Sequence, residues 1–450
     1  MNRFLPLLAL ALATGSSSFA AATPTVAWTF HAGGKAHDKI RALTVDSHGN
    51  TFITGEFSDV VDFGRTRVTC TGELDFVLAK LNPEGKLLWV ATAGGSKIDR
   101  GYAVAVDSKG SCYVTGHFQS DTIAFGKTVL RNRGDYDVFV AKYDSHGKPV
   151  WAKSAGGTAY DFGHGIGVDS QDAIYVSGSI RNAGDFDGSG KTAPENTGAF
   201  VAKYSNNGGL LWNRHMTGKG SSSGHELAVD SKGNIGVGGY FSGTASLGKH
   251  SLKTLKVKDI YAAELDSNGE FKWAFQAGGG SDGLVSGMAA DHAGNWLIGG
   301  MFKGTARFGK QSFTSAGDND FFIAKLSASG KPLWAAHAGG PGIDYGLGLA
   351  VDANGNALLT GETTGAILLA GTQFKAIGKR DLYAAKFSTD GKLLWVWQAG
   401  GKLNSLSYAA GCGPKGLNVI AGAFSGDIRI GAQTLVSRGS NDIIVCGLRD

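Results

Sequence analysis

Seven positions spaced 61, 62, 61, 61, 61 and 61 residues apart carry Arg41, Tyr102, His164, His225, Ser286, Leu347 and Tyr408. Each stands five residues before a turn aspartate or, for the last, before Gly413. A guanidinium, two phenols and two imidazoles at one equivalent position can hydrogen-bond, stack and titrate near neutral pH, which is the chemistry of ligand recognition. Neighbouring positions are small, as with Ala103 and Ala105, Gly165 and Gly167, or Gly348 and Ala350. Where a repeated sequence varies at one place, that place distinguishes the units; what all units share is scaffold. Arg41, Tyr102, His164, His225 and Tyr408 are therefore the candidate ligand-binding residues.

Other chemistry is thinner. His164 and His225 together resemble half a metal site, but a zinc site needs further ligands and none is apparent. Asp38, Asp99, Asp161 and Asp344 recur four residues after Ala-Gly-Gly segments, where loop capping is the simple account. Gly184 to Gly198 contains an Asp-x-Asp-Gly core that faintly suggests calcium, without the spacing or closing glutamate of an EF-hand. No Gly-x-Ser-x-Gly elbow, His-Glu-x-x-His helix or metal-spaced cysteine pair occurs. No catalytic residue, metal or cofactor is expected. Cys70, Cys112, Cys412 and Cys446 do not recur with the period, and Cys412 and Cys446 fall on strands two apart, beyond disulfide reach. Free thiols are expected.

The elements that position the candidate residues follow from the period. Trp28, Trp89, Trp151, Trp212, Trp273, Trp334 and Trp395 keep the same spacing, and a period this long implies copies of one supersecondary unit. In the second copy, Tyr102 to Asp107 leads through Ser-Lys-Gly to Ser111 to Phe118. A connection containing Phe125-Gly126 reaches Asp137 to Asp144, and Ser-His-Gly leads to Lys148 to Gly157. Short apolar or alternating runs divided by glycine turns predict a four-stranded antiparallel meander with the tryptophan on its last strand. Gly supplies 71 of 450 residues and Pro 8, so glycine turns rather than proline linkers punctuate the chain.

Such sheets expose two apolar faces and must pack face to face about an axis. The expected fold is all-β, a seven-bladed β-propeller of four-stranded antiparallel blades. The final unit, Ser407 to Cys412, Asn418 to Phe424 and Asp442 to Leu448, lacks its fourth strand, and Ala27 to Gly34 is a fourth strand without the other three. The N-terminal strand is expected to complete the last blade and remove its open edge. The tryptophans then read as wedges between blades. Asp46, Asp107, Asp169, Asp230, Asp291 and Asp352 read as turn caps, and Lys80, Lys142, Lys203, Lys325 and Lys386 as stems along blade surfaces with their ammonium groups in water. The variable ring should surround one mouth of the central channel.

Residues 1–22 read as a cleavable signal peptide, with Arg3 before an apolar stretch from Phe4 to Ala13 and small residues before Thr23. Residues 23–450 then form a single propeller domain, exported to the periplasm or the medium, with no integral membrane segment after cleavage and no room for an anchoring tail. Lys+Arg 43 against Asp+Glu 38, a formal +5 with scattered basic residues, argues against nucleic acid or an anionic membrane as partner.

The recurring pattern VDxxGNxYxTGxF, then FG, then DxFxAKxDxxGxxxWAxxAGG resembles the bacterial SBBP (seven-bladed beta-propeller) repeat family, over nearly all of Val26 to Asp450. The last repeat departs most, with Gly413 in place of the turn aspartate and Cys446-Gly447 in place of Ala-Lys. The resemblance implies scaffold and export and carries no catalytic residues across. The Asp-x-x-Gly-x-x-x-Trp hairpins also look like the tryptophan-docking hairpins of pyrroloquinoline-quinone enzymes, a shared packing solution. The expected function is a secreted, monomeric, non-catalytic binding scaffold for a glycan or protein. The alternatives are a propeller enzyme, either a glycan hydrolase or lyase or a quinoprotein-like enzyme, and a structural cell-surface protein. Changing Arg41, Tyr102 or Tyr408 is expected to abolish binding without loss of stability.

Overall fold

The computed structural model describes residues 23–187, 198–279, 282–369 and 372–450, and in it the chain is all-β. The leader-like segment 1–22 and residues 188–197 of the Gly184 to Gly198 loop lie outside the described residues. Among those described, no helix is long and apolar enough to cross a membrane.

The first unit forms one antiparallel sheet in the order Lys39–Val45, Thr51–Phe57, Asp75–Leu81 and Leu87–Ala93. These are its inner, second, third and outer strands, and the following units repeat the order. The second and third strands are covered on both faces, which is why they read as continuous apolar runs rather than as alternation. The turn between inner and second strands is set by Asp46, whose Oδ1 accepts the backbone N–H groups of His48 at 2.9 Å and Asn50 at 2.8 Å. The same bonds recur at Asp107, Asp169, Asp230, Asp291 and Asp352.

Successive sheets are keyed together by the tryptophans. Nε1 of Trp89 donates to the Ser145 carbonyl at 3.1 Å, and Trp151, Trp212, Trp273 and Trp334 make the equivalent bond to the turn before the next unit's outer strand. Each indole lies on the turn glycine of that next unit, so closely that a Cβ on Gly147 would stand 2.7 Å from Trp89. Gly147 also has φ 80°, so backbone conformation and close approach both require glycine there. Trp28 lies on Gly85 of the first unit in the same way. The apolar clusters follow this geometry: Ile53 and Leu81 of the first unit share one cluster with Val419 and Val445 of the last.

The Phe-Gly connection is itself a hairpin, which the sequence pattern did not reveal. Thr122–Phe125 pairs with Thr128–Arg131, and equivalent hairpins recur along the chain. In two units the end of the outer strand pairs with it: Gly33 and Gly34 pair with Asp62 and Val61, and Ala155 and Gly156 with Phe186 and Asp185. In the third unit the described part of this element is Asp185–Phe186. Asp185 and Asp187, the acidic pair of the calcium-like segment, lie 3.5 Å from Arg133 and 2.6 Å from Lys153.

Thr25–Gly34 pairs antiparallel with Asp442–Arg449, setting Trp28 opposite Gly447, in the sheet order Ser405–Cys412, Leu417–Phe424, Asp442–Arg449, Thr25–Gly34. The inner strands Ser405–Cys412 and Lys39–Val45 pack together. All four cysteines are free. Two of the five third-strand lysines, Lys325 and Lys386, correct the expectation of ammonium groups in water. Lys325 and Lys386 are 7% and 2% exposed and bond to the turn aspartates Asp291 and Asp352 at 2.8 and 2.9 Å; Lys386 also pairs with Asp450. Oδ2 of each of these cap aspartates accepts from the turn asparagine, Asn295 or Asn356, and from the lysine together.

Candidate functional site

Every inner strand carries a β-bulge, and the extra residue is the variable one. The register with the second strand skips between Ile40 and Ala42, Gly101 and Ala103, Gly163 and Gly165, Gly224 and Glu226, Val285 and Gly287, Gly346 and Gly348, and Ser407 and Ala409. The unpaired residues are Arg41, Tyr102, His164, His225, Ser286, Leu347 and Tyr408. A bulge inserts one residue and re-aims its side chain. Here it turns all seven side chains onto one cavity of about 240 Å³, which Leu284 and Met301 also line. A second cavity of about 310 Å³ continues along the inner strands, and Arg41, Tyr102, Glu226, Ser286, Leu347 and Tyr408 border both.

Four of the five sequence-predicted residues form a chain of contacts, and Tyr408 lines the same cavity. Lys39 Nζ lies 3.8 Å from the Tyr408 ring centroid, and the Arg41 guanidinium lies 4.4 Å from that of Tyr102. Tyr102 meets His164 edge-on at 5.2 Å, and His164 stacks on His225 at 4.1 Å with 15° between the planes. The imidazoles therefore meet face to face, and no group of three His, Cys, Asp or Glu side chains is placed to hold a metal ion among the described residues. Burial pushes His225 down to about 4 and, with the neighbouring His225, His164 well below the usual imidazole range, so both rings are neutral at pH 7. Toward the surface the rings continue as Phe162 and Tyr160, each stacked on the next, with Tyr160 47% exposed.

A second varied layer lies one step from the bulges and was missed in the sequence. The cross-strand pairs Lys39 and Glu56, Arg100 and His117, Leu284 and Met301, and Tyr345 and Glu362 sit there. The signal was present: Glu56, His117, Met301 and Glu362 each follow the second-strand glycine, at the variable place before the pattern's phenylalanine. Arg41 bonds Glu56 through Nε at 2.5 Å and Nη2 at 2.7 Å. Burial opposes ionisation of Glu56, but Arg41, His37 and Lys39 outweigh it and hold its carboxyl down to about 2. His117 packs among Tyr102, Tyr136 and Phe162 with neither ring nitrogen bonded, and burial beside Arg100 holds it at about 3.

The aspartates after the Ala-Gly-Gly segments are loop caps. Asp38 accepts from Gly34 N at 2.8 Å, Asp99 from Gly95 N at 2.8 Å, Asp161 from Gly157 N at 2.7 Å and Asp344 from Gly340 N at 2.8 Å. Burial raises Asp38 and Asp161 to about 6 despite those bonds.

Residues 333–368 match the SBBP beta-propeller repeat. The chain carries an SBBP beta-propeller repeat. That SBBP segment runs from the outer strand of the fifth unit through the inner and second strands of the sixth, and it contains bulge residue Leu347 and second-layer Glu362. The propeller is similar to an uncharacterised WD repeat-containing protein of Acanthamoeba polyphaga mimivirus, 19% identical over 78% of this chain and 32% of that protein. It is also similar to the regulatory protein FlaEY of Caulobacter vibrioides, 25% identical over 81% of this chain and 40% of that protein. The chain thus spans about a third to two-fifths of the length of these relatives. Among solved structures, a chain of the mitotic checkpoint complex aligns over 100% of this chain and 99% of its own, with 10% identity and a TM-score of 0.46.

One residue of the propeller breaks the small-residue rule along the inner strands. After the bulge the units carry Ala42, Ala103, Gly165, Glu226, Gly287, Gly348 and Ala409. Glu226 lines both cavities and has no ion pair among the described residues; burial alone pushes its carboxyl well above the usual range. An acid whose folded pKa is raised binds its proton longer in the folded than in the unfolded state, so it reduces stability as pH rises above the unfolded value. Glu226→Gln is expected to raise stability by about 1–3 kcal/mol at pH 8 and to change little at pH 4. Melting curves at the two pH values check this, and equal shifts at both would contradict it.

Proposed function

We propose that this chain is an exported, non-catalytic binding scaffold, a monomeric closed ring of seven four-stranded blades that holds a glycan or protein ligand at one mouth of its central channel. Export is supported by the residue 1–22 pattern. Closure is supported by the pairing of Thr25–Gly34 with Asp442–Arg449, by the packing of the first and last inner strands, and by Trp28 lying on Gly85. The observation that carries the binding site is the bulge in every inner strand, which aims Arg41, Tyr102, His164, His225 and Tyr408 at one cavity. A concave site with a few convergent polar and aromatic groups is the usual form of a ligand pocket.

The test is capture from a glycan array and by pull-down, repeated with Tyr102→Ala and Tyr408→Ala. Each substitution is expected to weaken binding by about 2 kcal/mol, roughly thirtyfold, in a protein that still folds. Undiminished binding by both variants would remove the site assignment. Arg41 is no longer a clean probe, because its loss strands the buried Glu56 carboxylate. The enzymatic alternative has one observation in its favour, the perturbed Glu226, His164 and His225 in a single cavity. It requires that a captured glycan be turned over and that Glu226→Gln stop turnover while binding persists.

A further inference from the structure

The mouth cavity is electrically lopsided. Arg41 lines it, and Lys39, Arg100 and Arg380 gather beside it around Glu56, Glu362 and Tyr408, four cations against two carboxylates, while Glu226 on the cavity wall is held protonated by burial. Arg41 uses two of its nitrogens on Glu56, and Arg380 bonds Glu362 at 2.6 Å. Arg100 Nε is buried without a hydrogen-bond partner and is 3.9 Å from Glu56. Lys39 rests on the Tyr408 ring and makes no ion pair among the described residues. The rest of the lining is largely apolar, Leu284, Met301 and Leu347 with the neutral His164 and His225 rings, beside Glu226 and a Ser286 hydroxyl that already donates to the Gly346 carbonyl. At about 240 Å³ it is smaller than the usual drug-sized pocket of roughly 300–1,000 Å³.

We infer that this cavity binds a carboxylate borne on an aromatic or branched apolar body, the carboxylate held at its edge by Lys39 and Arg100, which stand beside the lining residues Tyr408 and Arg41, and the body taken by Leu284, Met301 and Leu347. The inference rests on the reading of the mouth as the ligand site. Two unfilled donors beside an excess of positive charge attract an anion, and charge-assisted hydrogen bonds are the strong ones. Burial and the neighbouring Arg41 push the Lys39 ammonium down to about 8, the shift of a cation held without enough countercharge. The apolar wall offers few hydrogen bonds to a neutral sugar and leaves the hydroxyls of such a ligand unpaired. The same chemistry is presented by a free aromatic acid and by the C-terminal residue of a polypeptide.

Calorimetric titration of the intact protein separates these. The probes are phenylacetate, its neutral counterpart phenylacetamide, inorganic phosphate, and a short alanine peptide ending in phenylalanine as free acid and as C-terminal amide. A free acid is expected to bind about tenfold or more tightly than its amide, and Lys39→Met and Arg100→Met each to remove about tenfold of that preference while amide binding is unchanged. Tighter binding of phenylacetate assigns the small acid as the source, and tighter binding of the peptide acid assigns a chain terminus. Equal affinity for acid and amide, phosphate binding as tight as the acids, or no binding of any acid would overturn the inference. If the acids fail while a captured glycan is lost in Tyr102→Ala and Tyr408→Ala, the mouth remains the ligand site and only the carboxylate reading falls. If those variants also bind normally, both fall.

Discussion

Deleting Thr25–Gly34 from the protein is expected to abolish its cooperative thermal unfolding and to drive it into oligomers or aggregates on size-exclusion chromatography. The strand is the outer member of the last sheet, paired from Thr25 opposite Arg449 to Ala32 opposite Ile443. Without it Asp442–Arg449 becomes a free edge of apolar sequence, a template for pairing with another chain. The deletion also removes Phe30 and Ala32 from the cluster that joins the last and first units, and Trp28 from its seat on Gly85. Phe30 alone is 8% exposed, and Phe30→Ala is expected to cost about 3–5 kcal/mol. A truncated protein that stays monodisperse with an unchanged melting temperature would show that the pairing contributes little and would remove the main support for a closed ring.

The second large effect is at Glu56. Replacing it with alanine is expected to destabilise the protein by about 3–5 kcal/mol, because Arg41 is left in the mouth without its two-bond partner. Glu56 is 1% exposed and Arg41 18%, so neither charge regains much water. The pair also predicts a pH profile. The folded-state pKa of Glu56 is depressed to about 2 from an ordinary 4.5, so its stabilisation is complete above the ordinary value and is lost as pH falls from there toward 2. Glu56→Gln should melt lower than the parent at pH 7, and the difference should shrink steadily in acid. A constant difference from pH 7 to 3 would mean that the pair is not the source.

The strand order, the turn caps and the phase of the N-terminal strand were all readable from the period. The caps were readable because Asx-type bonding is local: Asp46 reaches only to His48 and Asn50. The Phe-Gly hairpin was not, because strands of four residues around a two-residue turn look like a connection until the previous unit's glycines are seen pairing with them. Lys325 and Lys386 were misjudged for the same reason of range. Their turn-aspartate partners lie 34 residues earlier in each case, on a turn brought alongside by sheet pairing, and the second partner of Lys386, Asp450, lies at the far end of the chain. Of the site, the ring was found because it varies at a fixed distance from a repeated aspartate. Glu56, His117 and Glu226 were passed over, although each sits at a place where its own repeat differs from the others.

The sequence by itself determined the repeat, its β character, the position of each turn and the one place per inner strand where side chains are free to differ. Those are properties of local backbone preference and of a period, and both are written along the chain. Only the tertiary structure decided where the variable side chains point and what they meet. A bulge moves a side chain from one face of a strand to another without altering the spacing of residues. The contacts of Arg41 with Tyr102 and of His164 with His225 arise between units some 60 residues apart, which nothing short of packing the sheets together brings within reach.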